Sequence, residues 1–171
     1  MTYEVKKGKH SFRSGLCLPK IRKRPSILTY EVILSGSAIY VLDNEDQLDW
    51  NKGGGYSFDL FTNHKNSFMW AWRYNIEKAV FEVTHYVHDG DKIHKGDNSF
   101  LSVPAGQKFI IDVTIQKDKY LFWMQSGNNL VENVVYHNSK QGNIVREINP
   151  WFGGNRPAPT DLSFWMKKFV K

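Results

Sequence analysis

Apolar and polar residues alternate with period two along most of this chain, and helical spacing is nearly absent. Such alternation gives a strand one apolar and one polar face, so it predicts half-buried β-strands. In residues 108–116 (KFIIDVTIQ), Phe109, Ile111, Val113 and Ile115 share one face while Asp112, Thr114 and Gln116 share the other. Asp118 and Lys119 interrupt the pattern and YLFWMQSG resumes it from Tyr120, which predicts a hairpin over 108–126. Upstream, Tyr56, Phe58 and Leu60 alternate, then Phe68, Trp70, Trp72 and Tyr74, then Phe81, Val83, His85 and Val87. The connections at Asn75–Lys78 and Asp89–Lys95 are of hairpin length and rich in turn-forming Asn, Asp and Gly. Runs at 28–35, around Ile39–Leu42, and at 130–136, 143–148 and 161–170 bring the total to about ten short strands. That pattern predicts an all-β fold, a two-sheet antiparallel sandwich or jelly roll.

A chain of 171 residues is long enough to bury a core without metals or disulfides. The single cysteine, Cys17, cannot form an internal bridge and reads as a small buried hydrophobe. Charges and glycine interrupt every apolar stretch of MTYEVKKGKHSF, so no secretory leader is expected, and no window is apolar enough for a membrane helix. The expectation is a protein that stays in the cytoplasm where it is made, with no membrane partner.

Charge changes this picture at one end. Residues 1–25 carry Lys6, Lys7, Lys9, Arg13, Lys20, Arg22, Lys23 and Arg24 against one acid, Glu4, while the remaining residues hold 15 bases and 16 acids. Residues 13–26 show no periodicity and are bounded by Pro19 and Pro25. This divides the chain into a basic N-terminal arm, residues 1–26, and a sandwich domain, residues 27–171, although a strand at Tyr3 to Phe12 would pin the arm to its own sheet. The arm, with Lys167 and Lys168 near the other end, is read as a grip on an acidic partner surface. Direct nucleic-acid binding is less supported, because only Tyr3 and Phe12 interleave the basic residues.

Chemistry-bearing motifs are sparse. His85 and His88, three apart on one strand, point to opposite faces, so with His94 they make a poor metal site; Asp89, Asp91 and Asp97 read as turn acids rather than calcium ligands. Asp59 and Glu82 sit amid aromatics on neighbouring predicted strands and read as solvent-facing acids. There is no P-loop, dinucleotide fingerprint or G-x-S-x-G elbow. No cofactor, metal or catalytic residue is assigned, and the chain is expected not to be an enzyme. Six tryptophans offer aromatic surface. Trp70 and Trp72, with the adjacent Arg73, are the candidates for packing against a glycan, although Trp70, Trp72 and Trp123 also fit a core.

Two segments carry more than pattern. LDWNKGGGYSFDLFTNHKNSFMWAWRYNIEKAVFEVTHYVHDG (48–90) and INPWFGGNRPAPTDLSFWM (148–166) resemble small concanavalin-like β-sandwich proteins of Bacteroides and of the crAss-like phages that infect them. Thr160 stands where that pattern commonly has His, and Met69 to Trp72 is bulkier than usual. Trp151, Gly153, Gly154, Pro157, Pro159 and Asp161 form a motif read as structural, since Gly-Gly and Pro-Ala-Pro supply conformation rather than reactive groups. The resemblance implies a concanavalin-like sandwich. It favours a structural virion protein, an auxiliary (decoration) protein bound to a phage capsid or other virion proteins through the basic arm. The alternative is a lectin-like glycan-binding module, with a polysaccharide-active enzyme less supported.

Overall fold

The computed structural model describes residues 1–13, 20–61 and 65–171, so Cys17 lies outside the described residues. Among the described residues, thirteen strands form two antiparallel sheets, as the alternation predicts. One sheet contains β1 (Thr2–Val5), β3 (Ile27–Ile33), β9 (Lys108–Ile115), β10 (Lys119–Ser126), β11 (Asn129–Tyr136) and β13 (Leu162–Val170). Its order is β1-β13-β3-β9-β10-β11. The other contains β2 (Ile21–Lys23), β4 (Asn51–Ser57), β5 (Asn66–Asn75), β6 (Val80–Asp89), β7 (Lys92–Lys95), β8 (Leu101–Val103) and β12 (Ile144–Ile148). Its order is β2-β12-β4-β5-β6-β7, with β8 pairing β6.

The core lies between the sheets and is rich in aromatic rings. From β5, Trp70 packs on Tyr30, Phe109 and Phe164 of the facing sheet at centroid distances of 6.2, 6.0 and 6.1 Å. Trp72 packs on Phe12, Tyr40, Phe81 and Phe164. Both indoles are fully buried. The strand above them must be thin. A Cβ on Gly53 would lie 2.1 Å from the Trp70 ring, and β4 shifts register between Lys52 and Gly54. We expect Gly53→Ala to destabilise the fold by about 1–3 kcal/mol through overpacking, read as a lower urea midpoint.

Three sequence readings are corrected here. Ile39–Leu42 forms no strand, because no neighbour pairs with it; a 3-10 turn at Gly36–Ala38 precedes it. Asp89–Lys95 is not all connection, since Lys92–Lys95 is the edge strand β7.

The third correction concerns the arm. Residues 2–5 pair with β13, Tyr3, Val5 and Phe12 enter the core, and residues 21–23 pair with β12. Tyr3 and Val5 supply the alternation of a strand on either side of Glu4, just ahead of the charge cluster that begins at Lys6. The described arm residues therefore belong to the sandwich, and β1 and β2 are its edge strands on one side. Lysines on sheet edges discourage pairing with other chains, a structural use for the same charge.

Candidate functional site

In an antiparallel pair, residues directly opposite project to the same face. On the seven-stranded sheet this places Trp151, Lys52, Ala71 and Thr84 in one outward row, through the Lys52–Trp151 bridge and the β4–β5–β6 register. The next row runs Ile148, Gly55, Met69, Tyr86 and Lys95. Met69, Ala71 and Thr84 are buried although they face away from the core. The outer face of the six-stranded sheet, by contrast, exposes Trp123, Leu130, Val134 and Tyr136.

Lys52 stands on this small-residue floor. Its ammonium donates to the Trp50 carbonyl (2.8 Å) and lies 4.4 Å from the centre of the Tyr86 ring. Burial lowers the Lys52 pKa; Asp49 opposes that shift and Lys95 adds to it. Burial raises the Tyr86 hydroxyl, with Asp49 and Asp97 adding to it. Beside Lys52, the Trp151 ring is 44% exposed and stacks on His10 with centroids 5.1 Å apart and planes at 9°. His10 is itself held, its Nδ1 donating to the Phe152 carbonyl at 3.0 Å. Gly153 lets this segment approach β4 closely, since a Cβ there would fall 2.1 Å from the Trp50 carbonyl oxygen. The far wall is Trp50, whose Nε1 donates to Asp97 Oδ1 (2.7 Å) and whose ring lies under the Arg73 guanidinium at 4.2 Å. The face thus combines a flat half-exposed ring, a desolvated ammonium and a phenol.

The sequence candidates fare unevenly. Trp70 and Trp72 are removed from any glycan role, because their phase with Phe68 turns them into the core. Arg73 reaches the rim of the face, but Glu82 (2.7 Å) and the Leu48 carbonyl (2.9 Å) already engage it. Trp151, read as structural, is the half-exposed ring, while Pro157 and Pro159 flank Ala158, which exchanges backbone hydrogen bonds with Gly8 and Lys9. Gly154 adopts a positive φ of 78° beside Asp49. Asp161 accepts from Lys6 Nζ and the Lys7 amide, each at 2.8 Å.

The basic residues differ in their surroundings. Lys7, Lys9, Arg13, Lys20 and Lys23 are exposed, and Arg24 donates to Gln141 (2.7 Å). Arg22 pairs in register with buried Val145 and so faces inward. Lys168 turns inward to Glu147, whereas Lys167 lies over the Phe169 ring on the opposite face of the strand. The capsid-attachment reading thereby loses the free arm on which it stood.

The histidines and turn acids also separate. His88 faces outward, whereas His85 and His94 line an open pocket of about 590 Å³ between the edge strands β7 and β11, together with Asp97 and Tyr136. Burial, reinforced by His94 and opposed by Asp97, pulls the His85 pKa down to about 4. Asp89 accepts from the Asn138 and Ser139 amides, Asp91 from Lys65, and Asp97 from Trp50. Asp59 lies beyond the end of β4, and Glu82 is buried against Arg73. Lys52 and Tyr86 were missed because their neighbours come from non-local strand pairing.

No family model matches the chain, and no curated protein matches it. Solved structures do. A functionally unknown protein from Saccharomyces cerevisiae matches with a TM-score of 0.53 at 12% identity, over 99% of this chain and 87% of its own. The GH43B protein of the Bacteroides ovatus xyloglucan PUL matches with a TM-score of 0.54 at 11% identity, over 85% of this chain. An alginate lyase from Klebsiella pneumoniae matches with a TM-score of 0.50 at 11% identity, also over 85%. This chain spans 28% of the B. ovatus protein and 60% of the lyase.

The lyase overturns the expectation that the chain is not an enzyme. An alginate lyase shares this sandwich over 60% of its own chain, so the fold does not argue against catalysis. The fold itself is settled: the chain is a two-sheet antiparallel sandwich of the concanavalin-like, jelly-roll kind.

Proposed function

We propose that the chain binds carbohydrate on the outer face of its seven-stranded sheet. The observation that carries this reading is the Trp151 ring, half exposed, braced flat by His10 and set beside Lys52. Sugar rings present faces of weakly positive C–H bonds that pack on the negative face of an indole, while their hydroxyls need nearby donors and acceptors. Tyr86 and Lys52 supply both kinds of group. Neighbours named for alginate and xyloglucan share the fold and agree with the reading.

Native electrophoresis through gels containing alginate, xyloglucan or other polysaccharides tests it. At least one polymer is expected to retard the chain, and Trp151→Ala to weaken retardation at least tenfold with unchanged circular dichroism. If none retards the chain, or Trp151→Ala binds as well as the native protein, the reading is wrong. The same samples are assayed for new reducing ends, which reports cleavage directly.

A further inference from the structure

We infer that the ligand of this face is an acidic saccharide, whose carboxylate or sulfate group is taken by the Lys52 ammonium; this rests on the carbohydrate-binding reading above. Buried charges in proteins are ordinarily paired, because an ammonium withdrawn from water without a counter-charge is costly. Lys168, also half-buried, obeys this rule, since it is paired with Glu147. Lys52 does not. It is half-buried, yet no carboxylate among the described residues lies within ion-pairing distance; its partners are a carbonyl oxygen and the face of a phenol ring.

The acids nearby are committed or displaced. Asp97 takes the Trp50 indole N–H and faces Lys95 at 3.4 Å, while Glu82 is held by Arg73 and Asn75. Asp49 acts on Lys52 through space but lies outside ion-pair range. What remains is a cation set among Trp151, Tyr86 and small floor residues, with Lys95 next to Tyr86 in register. A neutral sugar would leave that ammonium without a counter-charge when it covers the face. An acidic sugar supplies one, at the point where the Trp151 ring receives the sugar's apolar side.

Titration calorimetry of the full chain at 20 and 300 mM NaCl, against sodium alginate, polygalacturonate, sulfated carrageenan and neutral xyloglucan, tests this. At low salt at least one acidic polymer is expected to bind tenfold or more tighter than xyloglucan, with affinity falling as salt rises. The carboxylate and sulfate arms then tell which anion is taken. Lys52→Met is expected to remove at least tenfold of the acidic binding and Lys52→Arg to retain most of it. Doubly substituted Lys7→Ala, Lys9→Ala protein, altered only at exposed lysines, is expected to bind unchanged.

Equal binding of xyloglucan and the acidic polymers overturns the inference while leaving carbohydrate binding in place. So does acidic binding that survives Lys52→Met or disappears with Lys7 and Lys9. Failure to bind any polymer overturns both. The comparison of polymers on the native chain stands even if a Lys52 variant does not fold.

Discussion

Trp70→Ala is expected to cost about 3–5 kcal/mol of stability, the range for deleting a large aromatic side chain from a packed core. Trp70 is fully buried and touches Tyr30 and Phe109 across the sandwich as well as Phe164 on the last strand. Its removal opens a cavity where the sheets meet. Ordinary domains hold only about 5–15 kcal/mol in total, so the loss takes a fifth or more of it and lowers the melting temperature by roughly 6–20 °C. Trp70→Phe is expected to cost much less, because the indole Nε1 has no hydrogen-bond partner to lose. Urea titration with unchanged m-values measures both. A Trp70→Ala protein of native stability that had lost polysaccharide binding would return the ring to the glycan role from which its burial removes it.

Acid is expected to weaken the fold in two separate steps, and His85 dominates the first. Its folded pKa of about 4 lies below the ordinary 6.5, so the unfolded chain takes up the proton first. Stability from His85 is therefore fully present above about pH 6.5 and is lost as pH falls toward 4; the difference of 2.5 units amounts to roughly 3 kcal/mol. The groups facing the ring are His94, whose charge would oppose that of His85, and Asp97, which opposes the shift. His137 is also lowered, by burial first, and acts in the same direction.

Asp89 works lower down. Burial pushes its carboxyl up, but the Ser139 hydroxyl and the Asn138 and Ser139 amides outweigh that and hold it below the usual value. Its contribution is kept until the pH drops through the carboxylate range. Unfolding free energies between pH 7 and 3 check this. His85→Leu should flatten the upper step and leave the lower one; a native profile flat between pH 6.5 and 4 would show that His85 is not buried in its neutral form.

Period-two reading recovers strands wherever a strand has one wet and one dry face. It succeeds for β5, β6, β9 and β10 for that reason. It fails for β7, whose Lys92 and Lys95 flank a single exposed apolar residue, Ile93, and for β2, where Arg22 and Lys23 follow a lone Ile21. Trp123 shows what is lost when hydrophobicity is weighed without phase. Tyr120, Phe122 and Met124 point inward, so Trp123 points outward and is 47% exposed. The site was less legible than the fold. Lys52 and Trp151 meet through a backbone bridge spanning about a hundred positions, and only strand pairing brings a lone lysine in a glycine run to an aromatic ring. Trp151 was visible as a motif residue, but nothing local distinguishes a ring facing outward from one held in a turn.

The pairing of Thr2 with Trp165 and of Val5 with Leu162 carries a cost in time. The strand made first waits beside an unfinished sheet until the strand made last arrives. Closing a loop of roughly 160 residues is entropically slow, and topologies dominated by distant contacts fold in milliseconds to seconds rather than microseconds. A nascent chain halted before Leu162 would also lack Phe164, leaving Trp70 and Trp72 without one of their partners. Translation therefore has to run past Phe164 before the tryptophan pair can be sealed.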